Sequence, residues 1–319
     1  MEVSIIIPTY EREEDLREVL YSILRQTKLP KEVVIVDDSE GNKTRDLIKR
    51  FRKDFLAKGI ALEYLSKRRE IRENLAASKN VGVTHVKGEI TFFLDDDIVL
   101  DEDYIKEILK VYERYSDALG VQGYIKKRLP INHLFNCTCK IFYLDHFEKD
   151  KCKLLPSDKT VYPLLPPNGV IKTQWLSGTA SYRSHILKKY KFDEKLRKYS
   201  LGEDKDFSYR ISKHYSGAFY MTPYAKAFHK GSPTIGLKSK SKVYIETIYP
   251  VYLFCKNRNL TMREKIIFIW SLLGQLAIGT IINIVKKGSV QHLIGSYAYT
   301  ISHFKEVKNG IFSFLDTST

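Results

Sequence analysis

The sequence predicts an α/β fold, a mostly parallel sheet flanked by helices with an apolar helical appendage at its C-terminal end. Short apolar strands alternate with helical segments of roughly 10–15 residues over the first part of the chain, which is typical of a parallel sheet with crossover helices. Two of these strands end abruptly in acidic clusters. The last part of the chain joins uncharged apolar stretches to basic flanks.

The alternating elements follow one another in order. Apolar, β-branched runs predict strands, and apolar residues at helical spacing predict helices. The predicted strands are Val3–Ile7, Glu32–Val36, Ala61–Leu65 and Ile90–Leu94. The predicted helices are Glu13–Arg25, Thr44–Lys58, Asn74–Val86 and Tyr104–Tyr115. Residues 126–170 are irregular and predict an inserted loop or small subdomain, and residues 230–242 predict a mobile loop suited to closing over a phosphate.

The two acidic clusters are Asp37-Asp38 and Asp95-Asp96-Asp97. Ligands of such sheets bind outside the carboxyl ends of the strands, so both clusters are expected to face one crevice. Adjacent carboxylates are costly unless a positive charge neutralises them. A divalent cation shared with a substrate diphosphate is the usual solution.

The charge balance predicts an anionic partner. The chain has 319 residues, 43% of them hydrophobic, and a net charge of +15. Residues 236–319 hold 11 Lys and Arg against 4 Asp and Glu. Because the basic excess is densest where the chain is most apolar, a membrane surface is favoured over nucleic acid. No secretory signal is visible, and the four cysteines form no zinc pattern, so we expect reduced thiols and a cytoplasmic protein.

Residues 266–285 form an uncharged apolar stretch of about one bilayer's length. Polar or small residues recur along it every four positions, at Ser271, Gln275, Gly279 and Asn283. Basic residues flank both ends, and a second apolar stretch, Val290–Phe304, follows. Three interpretations are open: a helix pair lying in the plane of a membrane interface, a buried hairpin packed on the catalytic domain, and a membrane span.

Several motifs occur in a characteristic order. They are Ser4-Ile5-Ile6-Ile7-Pro8-Thr9-Tyr10, Val36-Asp37-Asp38-Ser39, Ser78-Lys79-Asn80-Val81-Gly82, Phe92-Phe93-Leu94-Asp95-Asp96-Asp97, Leu176-Ser177-Gly178, Phe192-Asp193-Glu194 and Gly202-Glu203-Asp204. Over residues 2–230 the chain closely resembles the family 2 glycosyltransferases, inverting enzymes with a Rossmann-like GT-A fold and nucleotide-sugar donors. The segment Tyr252…Arg258-Asn259 resembles members that glycosylate lipid-linked or cell-envelope acceptors.

The resemblance implies a catalytic domain over residues 1–235, with a nucleotide-sugar half (1–120) and an acceptor half (121–235). Residues 236–319 would be the membrane-associating region. The resemblance puts Pro8, Thr9 and Tyr10 around the base and ribose of the donor nucleotide. The alternative is that these residues form a plain strand-to-helix turn. Pro8 also predicts the end of its strand, because proline cannot continue a central ladder.

Donor binding is assigned in the same way. Asp37 and Asp38 would accept hydrogen bonds from the base or the ribose, or one of them would cap the next segment. Arg72 and Lys79 would lie near the diphosphate, with solvated helix positions as the alternative.

Asp95 and Asp97 correspond to the D-x-D motif of the family. Asp97 would bind Mn²⁺ or Mg²⁺, Asp95 would reach the ribose or a metal-bound water, and Asp96 belongs to the same donor site. The alternative is an acidic helix N-terminus. His229 matches a position that supplies a metal ligand or phosphate contact in some members, although a lone histidine is more often structural.

The catalytic base is assigned to Asp204, with Glu203 holding the acceptor or a loop. Inversion requires a carboxylate that deprotonates the acceptor hydroxyl during attack. Trp175, Ser177 and Gly178 are expected at the acceptor, where an aromatic face can stack on a sugar and glycine permits close approach. Asp206 and Arg210 are spaced to form a simple helical ion pair.

Two other functions compete with inverting sugar transfer. A sugar nucleotidyltransferase would share the fold. Those enzymes have in common a glycine-rich phosphate loop after the first strand, and the corresponding segment here, Pro8-Thr9-Tyr10-Glu11-Arg12, contains no glycine. A non-catalytic basic protein binding membrane or nucleic acid explains the net charge but not the acidic clusters. The oligomeric state is not predicted.

Overall fold

The computed structural model describes residues 1–66, 74–126, 133–144, 146–148, 152–233 and 239–315. The chain divides into two compact units. The first comprises Met1–Arg128 and Pro166–Ile235, and the second comprises Leu129–Leu165 and Gly236–Thr319. One division between the units falls after residue 235. The segment 129–165 differs from the prediction, because it groups with the C-terminal region rather than with the catalytic domain.

Nine strands form one mixed sheet in the described part of the first unit. They are β1 Val3–Thr9, β2 Glu32–Asp37, β3 Ala61–Ser66, β4 Ile90–Phe93, β5 Ile98–Leu100, β6 Gly120–Lys126, β10 Ile171–Lys172, β11 Ala180–Arg183 and β12 Phe219–His229. The helices of this unit are α1 Glu13–Leu24, α2 Lys43–Ala57, α3 Leu75–Val83, α4 Tyr104–Arg114, α6 Ser184–Lys189 and α7 Glu203–Ser212. The eight elements predicted up to residue 115 all form, with ends within three residues of the predicted ones.

The strand order is β10-β12-β6-β11-β4-β1-β2-β3, and β5 pairs with β12. The half that runs β4-β1-β2-β3 is parallel throughout. The other half is mixed, because β11 runs antiparallel to both β4 and β6. The parallel pairing predicted from the alternation is therefore confirmed in the N-terminal half, and β6 and β12 of the other half are also parallel.

The predicted end of β1 at Pro8 is wrong. The strand continues to Thr9, with Pro8 opposite Val36 of β2. On its other side β1 pairs with β4 only from Val3 to Ile6. Proline is tolerated here because β4 has already ended on that side, so the missing N–H removes no ladder hydrogen bond.

The core lies on both faces of the sheet, and alternation along the strands divides it. Ile5 and Ile7 of β1 point into the apolar cluster that includes α1, α2 and α4. Ile6 points the other way, into the cluster formed with α3, α6 and α7. Phe92 and Phe93 of β4 divide in the same manner. This two-residue period explains why the strands are apolar on both sides.

The second unit is mainly helical in its described residues. Its elements are α5 His133–Ile141, β7 His146–Glu148, β8 Lys153–Leu154, β9 Thr160–Pro163, α8 Ser239–Asn257, α9 Met262–Val285, α10 Val290–Ser302, α11 Phe304–Lys308 and a 3₁₀ turn at Ser313–Leu315. Arg258 joins the two chain segments of this unit. Its Nε donates to Asp158 Oδ1 at 3.1 Å and its Nη2 to the carbonyl of Leu155 at 2.6 Å.

Helix α9 is long and apolar enough to cross a membrane, and it alone meets that criterion within the residues described. Its mean hydropathy is 1.8 over the most apolar window, of which only 17% is buried. The predicted polar stripe turns toward the other elements of the unit: Ser271 is fully buried, and the Gln275 side chain donates to the carbonyl of Glu246. Most of the apolar surface of α9 is therefore exposed.

Gly123 of β6 provides a test of packing in the first unit. A Cβ there would lie 2.4 Å from the carbonyl oxygen of Ala225 and 2.5 Å from the Tyr104 ring. We expect Gly123→Ala to lower the free energy of unfolding by about 2 kcal/mol, because backbone and a buried ring must move. Chemical denaturation measures this, with Gly41→Ala as control, since a Cβ at Gly41 meets nothing within 4 Å. Equal stability of the two variants would contradict the packing described.

Candidate active site at the carboxyl edge of the sheet

The two acidic clusters lie at the same edge of the sheet, and Thr9 contacts both. The Thr9 hydroxyl donates to Asp96 Oδ2 at 2.9 Å. The Thr9 carbonyl accepts the backbone N–H of Asp38 at 2.9 Å. This arrangement follows from the strand order, because the parallel strands β1, β2 and β4 end at one edge.

Asp37 is held within the protein on both carboxylate oxygens. Oδ1 accepts the backbone N–H of Ser39 at 2.9 Å, and Oδ2 accepts the Tyr64 hydroxyl at 2.7 Å. Burial, reinforced by Asp37, raises the pKa of Tyr64 to about 12, so the phenol stays a donor. Asp37 therefore shapes the end of β2. Asp38 is also buried there, and Tyr10 is partly exposed nearby in sequence, after β1 ends.

The three carboxylates of the Asp triplet have different surroundings. Asp95 lies beside Lys79 and Gly178: a Cβ on Gly178 would be 3.5 Å from Asp95 Oδ2 and 3.6 Å from Lys79 Nζ. Asp96 turns toward Thr9 and Arg12, with Oδ1 3.1 Å from Arg12 Nη1. Asp97 turns toward His229, whose Nε2 is 3.2 Å from Oδ1.

Arg12 is a site residue that the sequence analysis missed. Beyond Asp96, its Nη2 donates to the carbonyls of Ser232 and Pro233, at 3.2 and 2.7 Å. It thereby joins the start of α1, the Asp triplet and the chain after β12. Burial raises the pKa of Asp96 to about 7, although Arg12 and Thr9 act in the opposite direction. The sequence did contain a signal for Arg12, because a basic residue that follows the end of the first strand is expected to lie close to the two acidic strand ends.

Asp97 and His229 come together as the resemblance implies. Ser232 also donates its backbone N–H to Asp97 Oδ2 at 3.0 Å, and the Asp97 carbonyl accepts the N–H of Lys230 at 3.1 Å. Burial would raise the pKa of Asp97, but hydrogen bonds from His229 and Ser232 outweigh it and lower the pKa. The carboxylate is therefore ionised and available to a cation.

The expected metal set of Asp95, Asp97 and His229 is only partly assembled. Asp97 contacts His229, whereas Asp95 faces Lys79 and Gly178. Across the residues that the structure describes, no three His, Cys, Asp or Glu side chains are grouped to hold a metal ion. An ionised carboxylate beside an imidazole nevertheless suits Mn²⁺ or Mg²⁺ chemically, when substrate phosphates supply further oxygen ligands.

Lys79 forms a buried ion pair with Glu203 instead of extending into solvent. The two atoms Nζ and Oε1 are 2.6 Å apart, and the Lys79 side chain is 1% exposed. The ammonium also lies 5.6 and 5.3 Å from the ring centroids of Phe93 and Phe192. Burial lowers the pKa of Lys79, but Glu203, Asp95 and Asp204 together outweigh this and raise it. Lys79 thus carries a charge between the triplet and α7.

Helix α7 begins at Glu203, so both proposed catalytic carboxylates lie in its first turn. The turn before it includes Ser200 and Gly202, both at positive φ. Ser200 Oγ accepts the backbone N–H of Ala76 at 3.4 Å, and Asn74 bridges to Lys198. These contacts tie the start of α7 to the start of α3 and so bring Glu203 to Lys79.

Asp204 is partly exposed, and its Oδ1 accepts the backbone N–H of Lys205 at 2.7 Å. Burial is the main cause that raises its pKa, with Asp95 adding to it and Lys79 opposing it. Burial likewise raises the pKa of Glu203 against the effect of Lys79. A carboxylate with a raised pKa is a stronger base than an ordinary aspartate.

Trp175, Ser177 and Gly178 lie on the chain between β10 and β11. Trp175 is 7% exposed, so most of its ring is in the core. Ser177 donates its backbone N–H to Gln122 Oε1 at 2.8 Å. Of the three residues, Gly178 is the one placed beside Asp95 and Lys79.

Two further expectations concern residues outside this group. Arg210 donates to the fully buried Asp206 at 3.0 Å, which confirms the helical ion pair. Arg72 lies outside the described residues, as do residues 234–238 of the expected loop. The part of that loop before the gap, residues 230–233, is held by Arg12 and Asp97.

Comparison with known proteins gives one family. Residues 4–158 match the sequence model described as glycosyl transferase family 2. The poly(ribitol-phosphate) beta-N-acetylglucosaminyltransferase TarS of Staphylococcus aureus is 30% identical over 131 residues, 39% of this chain and 22% of that protein. The glucosyl-dolichyl phosphate glucuronosyltransferase of Haloferax volcanii is 31% identical over 125 residues, 39% of this chain and 38% of that protein.

A solved structure extends the likeness beyond the matched segment. The crystal structure of S. aureus TarS 1–349 in complex with UDP-GlcNAc has a TM-score of 0.55 at 18% identity, covering 93% of this chain and 79% of that one. The likeness supports the GT-A fold. This chain spans less than half the length of the curated relatives named above. Residues 4–158 are thus similar in sequence to family 2 of the glycosyltransferases, and the likeness in fold extends over most of the chain.

Proposed function

We propose that the protein is an inverting glycosyltransferase that moves a sugar from a nucleoside diphosphate sugar to an acceptor hydroxyl. The observation that carries the proposal is the group around Lys79. The charges of Glu203, Asp95 and Asp204 all act on this lysine, and Gly178 lies beside Asp95 and Lys79. A donor sugar and an acceptor hydroxyl can meet there.

Asp204 is the proposed base. As the acceptor oxygen bonds to the anomeric carbon, its proton passes to the Asp204 carboxylate, and the bond to the nucleoside diphosphate breaks on the opposite face. Lys79 supports this role by holding Glu203, which keeps the first turn of α7 in place against the repulsion between neighbouring carboxylates. Trp175, Ser177 and Gly178 are proposed to line the acceptor side.

The donor nucleotide is proposed to lie along Pro8, Thr9, Tyr10, Asp37 and Asp38, where β1 and β2 end. UDP is the first candidate, because the structurally similar TarS was crystallised with UDP-GlcNAc. Arg72 and Lys79 are the proposed cations near the diphosphate. Because Lys79 is already paired with Glu203, it would act on the diphosphate through its charge, and it would bind the diphosphate directly only if that ion pair opened.

A divalent metal, Mn²⁺ or Mg²⁺, is proposed at Asp97 and His229, with Asp95 and Asp96 near the donor. When bound, such an ion neutralises the donor phosphates and stabilises the leaving diphosphate. The ionised Asp97 and its contact with His229 support this assignment. Arg12 compensates part of the negative charge of the triplet from the other side.

The acceptor is proposed to be an anionic glycan, either lipid-linked or part of the cell envelope. The names of the two relatives refer to poly(ribitol-phosphate) and to glucosyl-dolichyl phosphate, both of which contain phosphate. A chain with a net charge of +15 suits such acceptors. We place the reaction at the cytoplasmic face of a membrane, because the basic and apolar second unit is suited to that surface.

Replacing Asp204 by Asn tests the base. Transfer should fall by about 10²–10⁴-fold, because a positioned base contributes that much to a proton transfer. Donor binding, measured by thermal stabilisation with a panel of nucleotide sugars, should persist. Asp46→Asn is the control, since Asp46 is an exposed carboxylate on α2 paired with Lys49. Transfer at the wild-type rate in Asp204→Asn would refute the assignment.

The pH dependence gives a separate test of Asp204. The raised pKa means that the base is lost by protonation at a higher pH than for an ordinary aspartate. The rate of transfer should therefore fall on the acidic side with a midpoint above the usual aspartate range. Rates measured at saturating donor across the pH range report this midpoint. A midpoint within the ordinary range would show that another group limits the rate.

Metal dependence is tested through Asp97 and His229. The donor should stabilise the wild-type protein more with Mn²⁺ or Mg²⁺ than with chelator, and Asp97→Asn should abolish the difference. His229→Ala should weaken apparent metal affinity at least about tenfold. Asp103→Asn, at an exposed acid beyond β5, is the matched control. Equal stabilisation with metal and with chelator would count against the metal and leave the base assignment intact.

A further inference from the structure

The exposed face of α9 is apolar from Ile266 to Val285. Met262 and Val285 at its two ends are exposed, and between them the exposed large side chains are Ile266, Ile269, Trp270, Leu273, Ile281 and Ile284. Their spacing of three and four residues places them along one stripe. Of these, Ile266, Ile281 and Ile284 are more than 60% exposed. A helix on a protein in water normally shows the reverse arrangement, with its apolar stripe buried.

The opposite face of α9 carries the polar groups and packs within the second unit. Gln275 donates to the Glu246 carbonyl of α8 and accepts from Lys159. Phe268 stacks on Phe254 of α8, with ring centroids 3.8 Å apart. The polar stripe is thus already used by the protein, and the apolar stripe faces outward.

We infer that this stripe lies in the plane of a membrane interface, with its apolar side chains among the acyl chains and the helix axis parallel to the surface. Charge supports a lipid surface over an apolar protein partner. Exposed basic residues stand at both ends of α9, namely Arg263 and Lys265 in its first turn and Lys286 and Lys287 just after it. In the in-plane orientation all four reach anionic headgroups together.

The packing of α9 argues against a membrane span. A spanning α9 would bring its packed face into the hydrocarbon with it. That face is bonded to Lys159 and to the segment of Glu246, and the same unit holds the buried pair Asp158 and Arg258. Charged groups of this kind are costly in the membrane interior. One apolar side and one polar, packed side are what an interfacial helix requires.

Vesicle binding of the full chain tests the inference. Wild-type protein should sediment with vesicles of phosphatidylcholine and phosphatidylglycerol, more weakly with phosphatidylcholine alone, and less in high salt. Leu273→Ser should reduce the partition coefficient roughly tenfold, and adding Ile281→Ser should reduce it further, because each removes a large aliphatic side chain from lipid. Leu56→Ser is the control, because Leu56 is 77% exposed on α2 of the other unit.

The basic ends are tested separately. Replacing Lys286 and Lys287 by Gln should weaken binding to the anionic vesicles by roughly fivefold per lysine and leave binding to neutral vesicles nearly unchanged. Replacing the exposed Lys53 and Lys58 by Gln is the matched control. Equal losses in the two double variants would refute a specific role for the ends of α9.

The inference rests on the proposed function and makes its membrane location more specific. Hydrolysis of the donor in solution tests the glycosyltransferase function separately from membrane binding. Donor hydrolysis without vesicle binding would refute the membrane-binding role of α9 and would still support the glycosyltransferase function. Retention on membranes through an alkaline carbonate wash would overturn the in-plane orientation in favour of a span. Self-association in light scattering that Leu273→Ser abolishes, without vesicle binding, would assign the stripe to a second copy of the chain.

Discussion

The concentration of negative charge at the carboxyl edge of the sheet is the constraint on which the site depends. The acidic groups there are Asp37, Asp38, Asp95, Asp96, Asp97, Glu203 and Asp204. Among the described residues, Arg12, Lys79 and His229 form ion pairs with these acids, and Lys205 lies beside Asp204. Unbalanced carboxylates close together raise one another's pKa values and oppose folding. A site with this imbalance favours cations, which is the property that a metal-bound diphosphate needs.

The two cations divide the work between the halves of the site. Arg12 joins the triplet to the start of α1 and to the chain after β12. Lys79 joins the triplet side to the first turn of α7, which is far away in sequence. Both are held by buried or half-buried partners, so they act as fixed charges and not as mobile surface lysines or arginines. The position of Asp204 therefore depends on Lys79 indirectly, through the ion pair that Lys79 forms with the neighbouring Glu203.

The second unit obeys a different constraint. Each large aliphatic side chain left in water on α9 forgoes about 1.5–3 kcal/mol relative to burial. The polar side of the same helix is satisfied internally, through Gln275 and Ser271. The helix is thus oriented by its hydrogen bonds and packing, and its apolar face is left for an environment other than water. The described part of the chain does not supply that environment.

The sequence by itself determined the elements of the N-terminal half, the acidic strand ends and the i, i+4 pair on α7, because these depend on local periodicity and spacing. Only the tertiary structure decided which way Asp96 and Asp97 turn, since their partners Thr9, Arg12 and His229 are more than 80 positions away in the chain. It also decided that Lys79 pairs with Glu203, and that segment 129–165 groups with the C-terminal helices. A periodic pattern defines the faces of a helix or strand, but the partner of each face is chosen by packing between distant segments. Even the stripe on α9 was visible as a pattern, while its direction, polar side inward, was not.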